Sequence, residues 1–249
     1  LIQARQGFRR ENTLGIPLDA PHRNYKDAHH KPECLCALTP FWGLRGFRKL
    51  SHVFELADTL GAGGVVQWLE PLKKNPNSEG LKQFFRAMMT APPAEKQAVV
   101  REAAQKAVKQ ADQDPVFHWM TVLSEAYPDD IGTLAPVLLN LIRLAPGQAM
   151  FLPAGELHAY LEGLGIELMA NSDNVLRGGL TPKHIDVEEL LNVLVFEEST
   201  PHVLTPPDPD ALEYVYGTPA EEFVLSVIAV GSTRPYESPM RRSVEIVIC

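Results

Sequence analysis

Between Lys49 and Pro128 the apolar residues recur at helical spacing, and on either side of that stretch they do not. SHVFELADTLGAGGVVQWLEPL carries Val53, Leu56, Ala57 and Leu60 on one stripe, and LKQFFRAMM carries Leu81, Phe84, Phe85 and Met88. After Pro92-Pro93, AEKQAVVREAAQKAVKQA sets Val99, Ala103 and Ala107 on one face, and VFHWMTVLSEAY supplies a further helix ended by Pro128. Side chains three and four apart share a helix face, so each stripe must be covered by something else. This block carries no cluster of reactive groups; His52 and His118 sit on it singly and read as structural. An all-α block set between strand-like, turn-framed segments restricts the chain to a β framework interrupted by helices.

The 249 residues allow one large domain or two ordinary ones, with 45% hydrophobic and 22% charged residues, enough to bury a core. Net charge is −8, so no global basic field recruits nucleic acid, and any anion must be held by a few local cations. No run of 18 apolar residues and no secretory leader is visible, so no membrane span is expected. Cys34, Cys36 and Cys249 make no disulfide framework, which favours a reducing, cytoplasmic setting. Leu1 is not a natural start, and VEIVIC at the other end reads as a strand without a partner, so the chain reads as part of a longer polypeptide.

Ahead of the helices, residues 1–15 form a polar helix-like stretch with Phe8 and Leu14 as its apolar anchors, and 15–27 is rich in turns. Residues 33–39 alternate as a strand, with Glu33, Leu35 and Ala37 on one face and Cys34, Cys36 and Leu38 on the other. A carboxylate on the face of core residues needs a partner or a metal; Lys31, two residues earlier, allows a simple ion pair instead.

Beyond the helices, APVLLNLIRL (135–144) allows a helix before the chain returns to strand. Pro146-Gly147 and Pro153-Ala154-Gly155 then frame a short extended run, Gln148–Leu152, and His158 follows. If His158 points inward, Glu156 and Tyr160 share its face; it is either a hydrogen-bonded core histidine or a metal ligand set by a rigid turn. Ile166–Met169 is a strand carrying Glu167, and the loop NSDNVLRGGLTPK concentrates polar groups with Arg177 and Lys183. Asp186 and Glu189 make a capping box for EELLNVL. Residues 199–212 read as a Pro-rich linker, and EEFVLSVIAV and SVEIVIC as strands. There is no Gly-rich phosphate loop and no G-x-S-x-G elbow.

The spacing Gly147-x5-Pro153-x-Gly155-x2-His158 resembles the cupin pattern, in which a small jelly-roll barrel presents a metal-binding histidine to its interior; Glu162 stands where the pattern usually has Asn. NYKDAHHKPE (24–33), ALTPF (37–41), FLPAGELHAYL (151–161) and NSDNVLRGGLTPKHIDV (171–187) resemble the signature segments of type I phosphomannose isomerases. The order of these segments, the helical insertion between them and GTPAEEFVLSVIAV match that family as well.

The resemblance implies a mainly β architecture with an α-helical insertion. A catalytic cupin would run over 1–48 and 133–200, an all-α insert over 49–132, and a linker with the start of a second cupin-like domain over 201–249. It implies one Zn²⁺ per chain, held by Glu33, His158 and a Gln-x-His pair lying upstream of Leu1; Gln3-Ala4-Arg5 has the wrong third residue. It carries the family's active-site arginine onto Arg177, and further pocket positions onto Lys31, Glu167, Asp173 and Lys183. The implied reaction interconverts mannose 6-phosphate and fructose 6-phosphate through an enediol or enediolate. Lys31 and Lys183 would then be cationic donors to substrate, with Asp173 also substrate-binding, and Glu167 the leading proton carrier, with Asp173 and a zinc-bound water as competitors and an orienting role for Glu167 as the alternative. The partner would be a small sugar phosphate, with no nucleic acid or membrane, and the chain a monomer. A different class, a non-catalytic sugar-phosphate-binding or regulatory cupin, is kept open by the missing Gln-x-His pair. An Fe(II) oxygenase is disfavoured because such sites use two histidines and a carboxylate.

Overall fold

The computed structural model describes residues 2–206, 211–231, 235–238 and 244–249. Helix α1 (Ile2–Thr13) leads through an irregular stretch to β1 (Glu33–Ala37) and β2 (Phe41–Phe47). Five helices follow: α2 (Leu50–Leu60), α3 (Gly63–Lys74), α4 (Ser78–Thr90), α5 (Pro93–Val108) and α6 (Pro115–Ala126). A 3₁₀ turn (Ile131–Leu134) and α7 (Ala135–Leu138) return the chain to β3 (Leu139–Leu144), β4 (Ala149–Leu152), β5 (His158–Glu162) and β6 (Gly165–Met169). Helix α8 (Val187–Val193) and the short strands β7 (Val203–Leu204), β8 (Glu213–Tyr216) and β9 (Leu225–Ile228) complete it. Helix outweighs strand among the described residues, so the architecture is mixed α/β, and the expectation of a mainly β chain is too narrow.

The helices begin and end where local chemistry dictates. Asn77 and Asp114 accept from the amides of Gly80 and Val116, and Pro93 and Pro115 occupy first positions where no amide is needed. Gly61, in the left-handed region at φ 66°, ends α2 and splits the continuous helical texture of 51–72 into two helices.

Two antiparallel sheets carry the site, ordered β6-β1-β4-β7 and β3-β2-β5. Leu35, Ala37, Phe41, Ile142, Leu144, Met150 and Leu152 pack together between them. On the other face of β1, Cys34 and Cys36 are covered by Tyr216 and Leu225 of the β8-β9 ribbon. Burial on both faces explains why ECLCA carries no polar alternation after Glu33. The outward side of β5, with Leu157, Ala159 and Leu161, joins the helical core that also takes in Leu190 and Leu191.

Several readings change. Only the first four residues of APVLLNLIRL are helical; the rest pairs with β2, from Phe41↔Leu144 to Phe47↔Leu139, because a partner edge outweighs a weak helical preference. Strand β2 is not signalled in the sequence, since Gly43 and Gly46 interrupt its pattern. Gly46 has φ +56° at a register shift, and a Cβ there would come within 2.2 Å of Ser199 Oγ, so the glycine serves a bulge. The linker contains β7, whose Val203 and Leu204 pair with Met150 and Ala149; residues 207–210 lie outside the described residues. Ser243 of SVEIVIC lies outside them too, and 244–249 form no strand. Their apolar side chains Val244, Ile246, Val247 and Ile248 are exposed.

Helix α1 is anchored differently from expectation. Leu14 is exposed, while Ala4, Gly7 and Glu11 are buried. A Cβ at Gly7 would meet the Tyr25 ring at 2.2 Å, and that ring is buried and held by its hydroxyl on Glu189 Oε1 at 2.6 Å. Alanine would gain about 1 kcal/mol of helix propensity, but overpacking against a fixed ring costs roughly 1–3 kcal/mol. Gly7→Ala is therefore expected to lower stability in urea unfolding, and a stabilised variant would show that α1 does not dock on Tyr25.

Candidate active site

His158 is the first residue of β5, placed by the turn at Gly155 (φ +87°). Its Nδ1 lies 2.9 Å from the Glu156 carbonyl oxygen and donates to it, which fixes the ring and leaves Nε2 for a second partner. That Nε2 is 3.2 Å from Oε2 of Glu33, the buried first residue of β1. Burial alone would raise the Glu33 carboxyl, but the hydrogen bond and charge of His158, with Lys31 at 3.6 Å, hold it below its ordinary range. Burial alone would lower His158, but Glu33 and the Glu156 carbonyl raise it. Both shifts favour the same charged pair.

The turn before His158 is itself pinned. Arg45, opposite His158 in the β2–β5 pairing, binds Glu156 through Nε at 2.7 Å and Nη2 at 3.3 Å. Side-chain exposures of 10% and 14% make this a buried pair, where loss of one partner costs about 3–5 kcal/mol but an apolar replacement of both is near neutral. Arg45→Met is expected to lower unfolding stability by about 3 kcal/mol, with much of it regained when Glu156→Leu is added. Additive losses in that cycle would show that the two side chains do not act as a pair.

Two residues along β5 from His158, Tyr160 donates to Glu167 Oε1 at 2.6 Å. Burial and that carboxylate push the Tyr160 hydroxyl well above its ordinary range, so it stays a proton-bearing donor.

Lys31, Glu33, His158 and Arg177 line one cleft of about 980 Å³. Arg177 lines the cleft and makes no hydrogen bond or ion pair to any described residue. Glu167 is not part of the cleft lining; its carboxylate is held by Tyr160 and neighbours Glu33. Asp173 and Lys183 are exposed on the loop and do not line the cleft. Among the described residues no three His, Cys, Asp or Glu side chains converge as a complete metal site. Gln3 also lines the cleft, with its amide 3.4 Å from the Asn192 carbonyl.

Several supporting residues carry no clear mark in the sequence. Asp27 accepts from the amides of Asp173 and His29 at 2.7 and 2.9 Å and from Ser172 Oγ at 2.9 Å. Burial would raise its carboxyl, but these donors hold it below its ordinary range. Asn174 Oδ1 accepts from the amide of Lys26 at 2.8 Å, so the segments bearing Lys31 and Arg177 are stitched together. The reciprocal half of the capping box is missing: Asp186 accepts from Glu189 N at 3.0 Å, but the Glu189 carboxylate turns to Tyr25 and Arg10. The signal for these was only a cluster of Asp, Asn and Ser in two loops, which sequence cannot pair. Glu222, from beyond β8, reaches His30 across the cleft mouth, and nothing in its sequence context marks it.

No family model matches the chain. It is 42% identical over 222 residues to a mannose-6-phosphate isomerase of Salmonella typhimurium, covering 89% of this chain and 56% of that protein. It is 40% identical to the mannose-6-phosphate isomerase of Escherichia coli over the same shares of the two chains. The human mannose-6-phosphate isomerase is 34% identical over 244 residues, covering 89% of this chain and 57% of that protein. Among solved structures, a zinc-bound mannose 6-phosphate isomerase superposes with TM-score 0.78 at 39% identity, over 90% of this chain and 56% of that one. A Salmonella typhimurium mannose 6-phosphate isomerase bound to its substrate fructose 6-phosphate and to zinc gives TM-score 0.77 at 39% identity, over 90% and 57%. The chain thus spans a little over half the length of its relatives. In sequence and in fold, it belongs to the mannose-6-phosphate isomerase family.

Proposed function

We propose that this chain contributes to the active site of a zinc-dependent isomerase interconverting mannose 6-phosphate and fructose 6-phosphate through an enediol or enediolate. The observation that carries this is the meeting of Glu33 and His158 at 3.2 Å in a cleft where Arg177 has no partner among the described residues. A buried carboxylate and an imidazole with Nδ1 anchored fit half of a zinc ligand set, and one Zn²⁺ per chain would take further ligands from outside the described residues. Bound there, zinc would act as a Lewis acid toward the sugar's carbonyl and hydroxyl oxygens.

The chain's own residues do the rest. Arg177 offers a planar, permanently charged fork to the substrate's phosphate or to the developing enediolate. Lys31 adds a point charge beside Glu33. Glu167 is the proton carrier in this reading, its carboxylate kept in place by Tyr160. Substrate binding by Asp173 and Lys183 requires their loop to turn inward.

The two facing sheets support a cupin barrel over 1–48 and 133–200, the five-helix block an insert over 49–132, and the β8-β9 ribbon a second β domain begun over 201–249. A monomer in the cytoplasm completes the proposal. No helix among the described residues is long and apolar enough to cross a membrane.

The test is a coupled assay for fructose 6-phosphate formed from mannose 6-phosphate by the intact polypeptide, with chelator and then with zinc restored. Activity that chelator removes and zinc returns supports the isomerase. A folded, zinc-loaded protein that binds mannose 6-phosphate without turning it over would make this a non-catalytic sugar-phosphate-binding cupin.

A further inference from the structure

The geometry points to Asp130 as a positioning residue for Arg177, acting from the far end of the helical block; this rests on the placement of Arg177 in the active site. Two adjacent aspartates follow Pro128, and they face different partners. Asp129, in the left-handed region at φ 65°, is gripped by Arg101 of α5 through two bonds of 2.6 Å. Asp130 instead caps the 3₁₀ turn, accepting from Gly132 N at 2.7 Å, and the same Oδ1 accepts from Leu180 N at 2.9 Å. One carboxylate oxygen therefore ties the loop after Arg177 to the helical block.

The loop is built so that it needs this tie. Arg177 is followed by Gly178 and Gly179, residues with the most backbone freedom to lose, and then by Leu180 at φ 53°, a conformation L residues rarely adopt. A strained residue persists where its surroundings determine it, and here the determinant is the bond from its amide to Asp130. The fit is close on both sides. A Cβ on Gly179, at φ +141°, would come within 3.0 Å of Asp130 Oδ1 and 3.1 Å of Gly132 Cα, and one on Gly132 would come within 2.6 Å of Leu180 Cγ. With the tie in place, the two glycines run between fixed points, and the backbone that carries Arg177 into the cleft lining is set without a side-chain partner for Arg177 among the described residues. Without it, Arg177 sits on a flexible loop. A displacement of about 1 Å in a group acting on the transition state can cost on the order of 10²-fold in rate.

The experiment uses the intact polypeptide and measures kcat and KM for mannose 6-phosphate, zinc content and thermal unfolding for Asp130→Ala and Asp130→Asn. Asp130→Ala is expected to lower kcat/KM roughly 10- to 100-fold with zinc content unchanged. Asp130→Asn should recover most of it, because an amide oxygen accepts the same two N–H groups. In an Arg177→Ala background Asp130→Ala should add less than about twofold, since its effect passes through that arginine. Gly179→Ala disturbs the same tie from the loop side and should show the same fall, so the proposal stays testable if Asp130→Ala does not fold. Full kcat/KM in folded Asp130→Ala or in Gly179→Ala would overturn the proposal. So would equal impairment of the Asn and Ala variants, or a full additional loss in the Arg177→Ala background. An unimpaired Arg177→Ala enzyme would instead overturn the reading of Arg177 itself.

Discussion

Arg177→Ala is expected to lower kcat roughly 10²–10³-fold, the size of effect seen when a single pre-placed donor to a developing negative charge is removed. Zinc content and the unfolding transition should be unchanged, because Arg177 makes no hydrogen bond or ion pair to a described residue whose loss would disturb the fold. Arg177→Lys separates its two possible duties. A lysine keeps the charge but not the fork, so phosphate binding would survive with a modest rise in KM, whereas paired contacts to an enediolate would be lost and kcat would fall. Near-wild-type turnover in both variants would remove Arg177 from the reaction.

His158→Ala is expected to abolish activity and to strip the metal, measured as zinc per polypeptide after dialysis. The reason lies in the pair: His158 Nε2 and Glu33 Oε2 are 3.2 Å apart, and Nδ1 is fixed on the Glu156 carbonyl at 2.9 Å. Removing the imidazole takes the largest favourable partner from the buried Glu33 carboxylate and leaves it Lys31 at 3.6 Å and the side chain of Glu167, so some loss of stability should accompany the loss of metal. Retention of one zinc per chain in the variant would show that His158 is not a ligand. The Arg177 and His158 variants thus fail in different ways, one loaded and slow, the other without metal.

How much of this is legible in the chain differs by residue. The helical stripes of Val53, Ala57, Leu60, Leu81, Phe84, Phe85 and Met88 are buried as their periodicity requires, because that signal lies within one turn of helix. His158 and Glu33 are marked by turn chemistry and by a carboxylate placed among core residues, and both stand at the starts of their strands. Strand β2 escapes because Gly43 and Gly46 answer to Ala159 and Ser199, which lie on the far side of the helical block in the chain.

The sequence by itself determined where the helices between Leu50 and Ala126 form and which residues are candidates for the chemistry, since those depend on propensity, periodicity and turn type over a few neighbours. Only the tertiary structure decided which of those residues meet. It set Lys31, Glu33, His158 and Arg177 on one cleft, left Asp173 and Lys183 out of its lining, and bonded Arg45 to Glu156, Asp27 to the amide of Asp173 and Asp130 to the amide of Leu180. Those outcomes turn on distances between segments remote from one another along the chain, and a hydrogen bond formed over 2.9 Å leaves no trace in the spacing of either partner.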